Sequence, residues 1–281
     1  MCKHAKMAYN LKISEFSSLE FNPEWKHDFE IDECYIQSFA STDIIRVQLF
    51  ILKTSTLNIS INNLSTNETS IVAFDQIGEQ DNYNVYFFEL TGLDEGTYTV
   101  NISNVTNEII ASSTFNILSD DLLLDTVLLR YTNVENMFDV IFIDEDDNNY
   151  FFEFRVPGGF QYGDVSLKSS AEIFRDQRFA LNQLSAYPYK ITPLTIGTKS
   201  GVPNWVGEKI NLIFSLSNVT IDDKIYVRSE GAEVERIQNI PYYPLYVFKI
   251  DIEPSEFYSS SFDFYPTGYR IHTHQFSKQF N

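Results

Sequence analysis

The stretch Leu90-Thr91-Gly92-Leu93-Asp94-Glu95-Gly96-Thr97-Tyr98-Thr99-Val100 decides how the first half of the chain is read. Gly92 and Gly96 let the backbone turn between two sheets, and Tyr98 enters the strand that follows. Outward from there, residues 29–118 fall into short alternating segments divided by polar turns, the pattern of antiparallel sheets with one wet and one dry face. Seven strands are predicted, over 29–36, 44–52, 57–62, 70–74, 85–90, 97–103 and 109–117.

That spacing of strands is expected for an immunoglobulin-like Greek key, and the 90–100 stretch resembles the tyrosine corner of immunoglobulin-like and fibronectin-type modules. The resemblance implies that Leu93 plugs the corner and that the Tyr98 hydroxyl bonds back to upstream backbone, both structural roles. The Cys…Trp…Cys signature of antibody domains is missing.

The chain has 281 residues, enough for two domains with cores of their own. The sequence divides into an extension (1–28), a β-sandwich (29–119), an α+β domain with a sheet and one or two helices (120–254) and an aromatic-rich arm (255–281). The expected fold class is therefore mainly β. Twenty Lys and Arg against 39 Asp and Glu give a net charge of −19, which repels phosphate backbones and anionic lipid headgroups. Direct nucleic-acid binding and membrane insertion are accordingly not expected. Both halves are acidic, 6 basic against 16 acidic residues up to 119 and 14 against 23 beyond, so neither is a basic arm. No apolar run is long enough to span a bilayer, since 44–52 is interrupted by Arg46 and Gln48. No apolar segment follows Lys3, His4 and Lys6 either, which predicts no secretory leader. Cys2 and Cys34 make neither a disulfide framework nor a thiolate metal site.

In the second half, strands are expected over 138–143 and 150–156, around the acidic run Asp144-Glu145-Asp146-Asp147-Asn148-Asn149. Those carboxylates suggest a calcium loop, but Asn149 and Arg155 stand where an EF-hand needs Gly and Glu, which favours a solvated turn. Residues 169–189 read either as a short helix begun by a Ser169–Glu172 capping box or as strand. The clearest helix is 204–217, where Val206, Ile210, Ile213, Phe214 and Ser217 share one face and Gly207 permits close approach to a sheet. Strands return at 219–221, 224–228 and 245–252.

Catalytic signatures are missing. There is no Gly-x-Ser-x-Gly elbow, Thr198 precedes Lys199-Ser200 where a phosphate loop requires Gly, and His272 and His274 have no third ligand nearby. The reading is of a non-enzymatic protein with no catalytic, cofactor or metal residues. Carboxylates are plentiful, yet no spacing singles out a glycosidase pair. Two sets of residues are candidate interfaces instead: the charged cluster Arg175, Asp176, Gln177 and Arg178, and the rings of Phe257, Tyr258, Phe262, Phe264 and Tyr265, which pack either on their own domain or against a neighbouring subunit.

The blocks Phe174-Arg175-Asp176-Gln177, Leu184-Ser185-Ala186-Tyr187-Pro188-Tyr189, Leu194-Thr195-Ile196-Gly197, Gly201-Val202-Pro203-Asn204-Trp205-Val206-Gly207-Glu208-Lys209-Ile210-Asn211 and Tyr226-Val227-Arg228-Ser229-Glu230-Gly231-Ala232 come in that order. The series resembles a module of virion structural proteins from tailed bacteriophages of gut Bacteroidales, including the crAss-like phages, over about residues 130–250. The resemblance implies a tail or neck component, a ring or hub subunit with an immunoglobulin-like domain in front. Its expected partners are copies of itself and neighbouring tail or portal-proximal proteins. The expected location is the virion, assembled in the host bacterial cytoplasm. The alternative is a host-surface carbohydrate-binding or adhesion module, with Trp205 or Tyr265 stacking on sugars.

Overall fold

The computed structural model describes residues 11–21, 35–160, 165–197, 201–237 and 245–255. The protein is mainly β, with a single α-helix among the described residues. The first half forms two sheets. One has the order β1 (Leu11–Ile13), β3 (Ile45–Leu52), β7 (Tyr83–Leu90), β6 (Asp75–Gln80). The other runs β2 (Gln37–Ala40), β9 (Ile109–Leu118), β8 (Gly96–Asn104), β4 (Leu57–Asn63), β5 (Glu68–Ile71). All neighbours are antiparallel except β2, which joins β9 in parallel. The inward residues of both sheets make one core, with Val47, Leu49 and Phe88 facing Ile59, Val100 and Phe115. At the corner, Gly92 takes a positive φ of 64°, the Tyr98 hydroxyl donates to the Asp94 carbonyl at 3.0 Å, and Leu93 packs against the core.

The strands predicted over 44–52, 57–62, 97–103 and 109–117 correspond to β3, β4, β8 and β9. The strand predicted over 29–36 lies mostly outside the described residues. Strands β1, β2 and β6 had no counterpart in the sequence reading. In β6 every side chain is at least partly exposed, so no dry face betrays it.

The second half is a closed barrel. Strand β10 (Thr126–Thr132) pairs with β11 (Phe152–Phe160), β11 with the end of β13 (Leu181–Ile196), and β13 with β17 (Val247–Pro254). Strand β17 then pairs with β15 (Lys224–Arg228), β15 with β14 (Asn218–Ile221), and β14 returns to β10. This circuit removes the edges that an open sheet exposes. A short strand, β16 (Glu235–Ile237), adds to β17 outside the circuit. The helix α1 (Asn204–Ile213) buries Val206, Gly207, Ile210 and Ile213 in the same core as all six barrel strands. A methyl group on Gly207 would lie 2.3 Å from the Phe248 ring, which is why the position holds glycine.

Residues 138–143 are not a strand. Phe138 and Asp139 both have positive φ, 54° and 58°, and the Asn136 side chain takes the Phe142 and Ile143 amides that a ladder would use, at 2.7 and 2.8 Å. Residues 169–189, open between helix and strand in the sequence, are a β-hairpin made of β12 (Ser166–Arg175) and the first part of β13.

The two halves are fused rather than strung together. Strand β3 is buried on both faces: Ile45, Val47 and Leu49 point into the sandwich, while Gln48 meets Ile141 of the second half. Phe87 of β7 belongs to the barrel core. Phe16 does too, and its carbonyl accepts the Tyr131 hydroxyl at 2.7 Å. The buried Lys209 ammonium of α1 donates to the Ser17 carbonyl. Residues 11–21 therefore form a wedge between the halves, through β1 on one side and Phe16 and Ser17 on the other.

Candidate functional site

The hairpin of β12 and β13 stands off from the barrel. Each of the ten residues of β12 is exposed, and β12 pairs only with β13 among the described residues. Ten residues of extended chain reach roughly 33 Å. The pairing Ser166↔Ile191 through Glu172↔Ser185 shifts at Leu184, so a bulge breaks the ladder before it ends at Arg175↔Leu181.

Register assigns the side chains to faces. Leu167, Ile173 and Leu181 lie on one face, with Phe174, Tyr187 and Tyr189 on the other. Leu167 is 82% exposed, Phe174 55% and Tyr187 61%. An ordinary surface hairpin has one dry face against its core, whereas this one carries large apolar side chains on both faces in water. An isolated two-stranded hairpin is marginal by itself, so these rings and branched chains are suited to being covered by another surface.

The charged cluster predicted from the sequence lies at the hairpin tip. Asp176 builds the turn, its carboxylate accepting the amides of Arg178 and Ala180 at 2.8 Å each. Phe179, at positive φ (65°) and 78% exposed, crowns it. The Arg175 guanidinium donates to the Phe179 carbonyl at 3.2 Å. The cluster is thus an exposed tip and not an internal polar network. The sequence reading missed the apolar flanks Leu167, Ile173, Leu181 and Tyr187. The predicted rings Phe257, Tyr258, Phe262, Phe264 and Tyr265 lie outside the described residues, as do His272 and His274.

Other candidate chemistry is accounted for locally. The Asn148 side chain, with the Tyr150 hydroxyl and the amides of Asp146 and Asn148, holds the Asp144 carboxylate below its ordinary range. The acidic run is thus a turn organised around the Asp144 carboxylate. No group of three or more His, Cys, Asp or Glu lies together as a metal site among the described residues. The Trp205 ring packs at 6.1 Å from Phe154 and 5.9 Å from Tyr35, with the Lys209 ammonium above it. The ring is partly buried by these contacts. No helix among the described residues is long and apolar enough to cross a membrane.

Comparison of the chain with protein-family models, with curated proteins and with solved structures gives no match.

Proposed function

We propose that the chain is a structural subunit of a tailed-bacteriophage particle, a ring or hub component of the tail or neck that acts by holding protein–protein contacts. In this reading an immunoglobulin-like sandwich is fused to a barrel that carries a contact arm. The order of its two sheets and the Tyr98–Asp94 hydrogen bond support the immunoglobulin-like assignment. The observation that carries the function is the hairpin 166–191, which exposes apolar side chains on both faces of a two-stranded ribbon. It coincides with two of the sequence blocks that resemble virion proteins, Phe174-Arg175-Asp176-Gln177 and Leu184-Ser185-Ala186-Tyr187-Pro188-Tyr189.

The test is immunogold labelling of tailed particles released from cells that express the gene, with mass spectrometry of the purified particles. Label confined to the neck or tail is the expected result. Particles that lack the chain would remove the reading.

A further inference from the structure

We propose that the hairpin 166–191 docks on a second copy of this chain, head to tail. This rests on the reading of the chain as an assembly subunit and adds the identity of the arm's receptor. The arm carries Lys168, Arg175, Arg178 and Lys190 against only Glu172 and Asp176, four cations to two carboxylates. The rest of the chain keeps the other 16 basic and 37 acidic residues of the total of 20 and 39. Copies charged at −19 repel one another unless the surface that leads into contact is locally cationic. The arm has that character, and the body of another copy has the complementary one.

Area and geometry agree with this partner. Two faces of roughly 33 Å by roughly 10 Å offer on the order of 650 Å², close to the ~800 Å² each side of a stable interface contributes. Apolar residues on both faces mean that the arm enters between surfaces rather than lying flat on one. Because the arm differs from the surface that receives it, the contact is heterologous, and repeated contacts close into a ring or continue as a filament. Phe174 and Tyr187 are the anchors on one face, Leu181 on the other, and Arg175 and Arg178 supply the steering charge at the tip.

The experiment measures the mass of the full chain by light scattering and sedimentation over a wide concentration range, at about 0.1 M and about 1 M salt. It compares the native chain with Phe174→Ser/Leu181→Ser/Tyr187→Ser and with Arg175→Glu/Arg178→Glu. All five positions are exposed, so an unchanged unfolding midpoint is the control for folding. The native chain is expected to self-associate, and each variant to do so at least about tenfold more weakly. The charge variant should also lose most of the salt dependence. A variant with a deficient arm still offers the receiving surface, so mixing it with native chain should cap the assemblies into smaller species. Self-association that both variants leave untouched would overturn the arm as the contact while leaving the assembly reading intact. A native chain that stays monomeric at millimolar concentration would overturn the second copy as receptor, and the labelling of particles then judges the assembly reading separately.

Discussion

Asp43 at the start of the sandwich and Arg155 on barrel strand β11 form a bidentate ion pair, with Nε to Oδ2 at 2.6 Å and the second guanidinium nitrogen to Oδ1 at 2.7 Å. Asp43 also accepts the Ala40 amide at 2.8 Å, and Arg155 donates to Thr126 at 3.0 Å. With the Asp43 side chain 2% exposed and that of Arg155 14%, the pair is buried where the two halves meet. Removing the carboxylate in Asp43→Ala strands a guanidinium and is expected to cost about 3–5 kcal/mol. The double variant Asp43→Ala/Arg155→Met should recover most of that loss. Urea unfolding midpoints of the two variants check this; equal loss in both would show that the stranded guanidinium is not what costs the stability.

A second junction depends on a side chain acting as backbone. The buried Gln48 amide donates to the Ile141 carbonyl at 2.9 Å and accepts the Ile141 amide at 3.0 Å. Gln48→Ala leaves both Ile141 groups without these partners, with an expected cost of about 2–4 kcal/mol from two groups at ~1–2 each. Hydrogen exchange should show the Ile141 amide protected in the native chain and at least tenfold faster in the variant.

Stability should also report the buried lysine. Burial lowers Lys209 from 10.5 to about 8, with Glu20 and Glu15 partly offsetting it. The folded state therefore binds fewer protons than the unfolded state between those values, and stability rises with pH from about 8 to 10.5. Below about pH 8 the full cost of charging the buried amine is present, and this group adds no pH dependence. Relative to Lys209→Met, the native chain should gain up to about 3 kcal/mol across that window, at ~1.4 kcal/mol per pH unit. Denaturant midpoints of both proteins at three pH values decide it; parallel curves would place the ammonium in water.

Gly207→Ala should destabilise the barrel by about 1–3 kcal/mol, because its methyl group meets the Phe248 ring at 2.3 Å. Phe248→Leu in the same chain should relieve part of the clash. A double-mutant cycle without coupling between the two positions would contradict the close approach of α1 to β17.

Strands β4, β8 and β9 were legible because each has one wet and one dry face, so apolar residues recur at every second position, as at Tyr98, Val100 and Ile102. The buried stripe of α1 was legible for the same reason at its own period, although the helix ends at Ile213 rather than at 217 and Ser217 is exposed. The hairpin tip at Arg175, Asp176, Gln177 and Arg178 was picked out as a charged cluster, but its flanks carry no periodic signal because neither face is dry. Residues 138–143 looked like a strand because Val140 and Phe142 are apolar and buried, although side-chain capping and two left-handed residues hold them irregular.

The amino-acid sequence by itself determined the mainly β class, the turn at Gly92, the Tyr98 corner, the helix and the acidity, all consequences of neighbours a few residues apart. Tertiary structure alone decided the rest. Closure of the barrel depends on the pairing Thr192↔Ile252, sixty residues apart, and the fusion of the halves depends on Asp43 finding Arg155 and Gln48 finding Ile141. Such contacts leave no local pattern, because what makes them favourable is the water excluded when distant segments meet, and that exists only once the chain has folded.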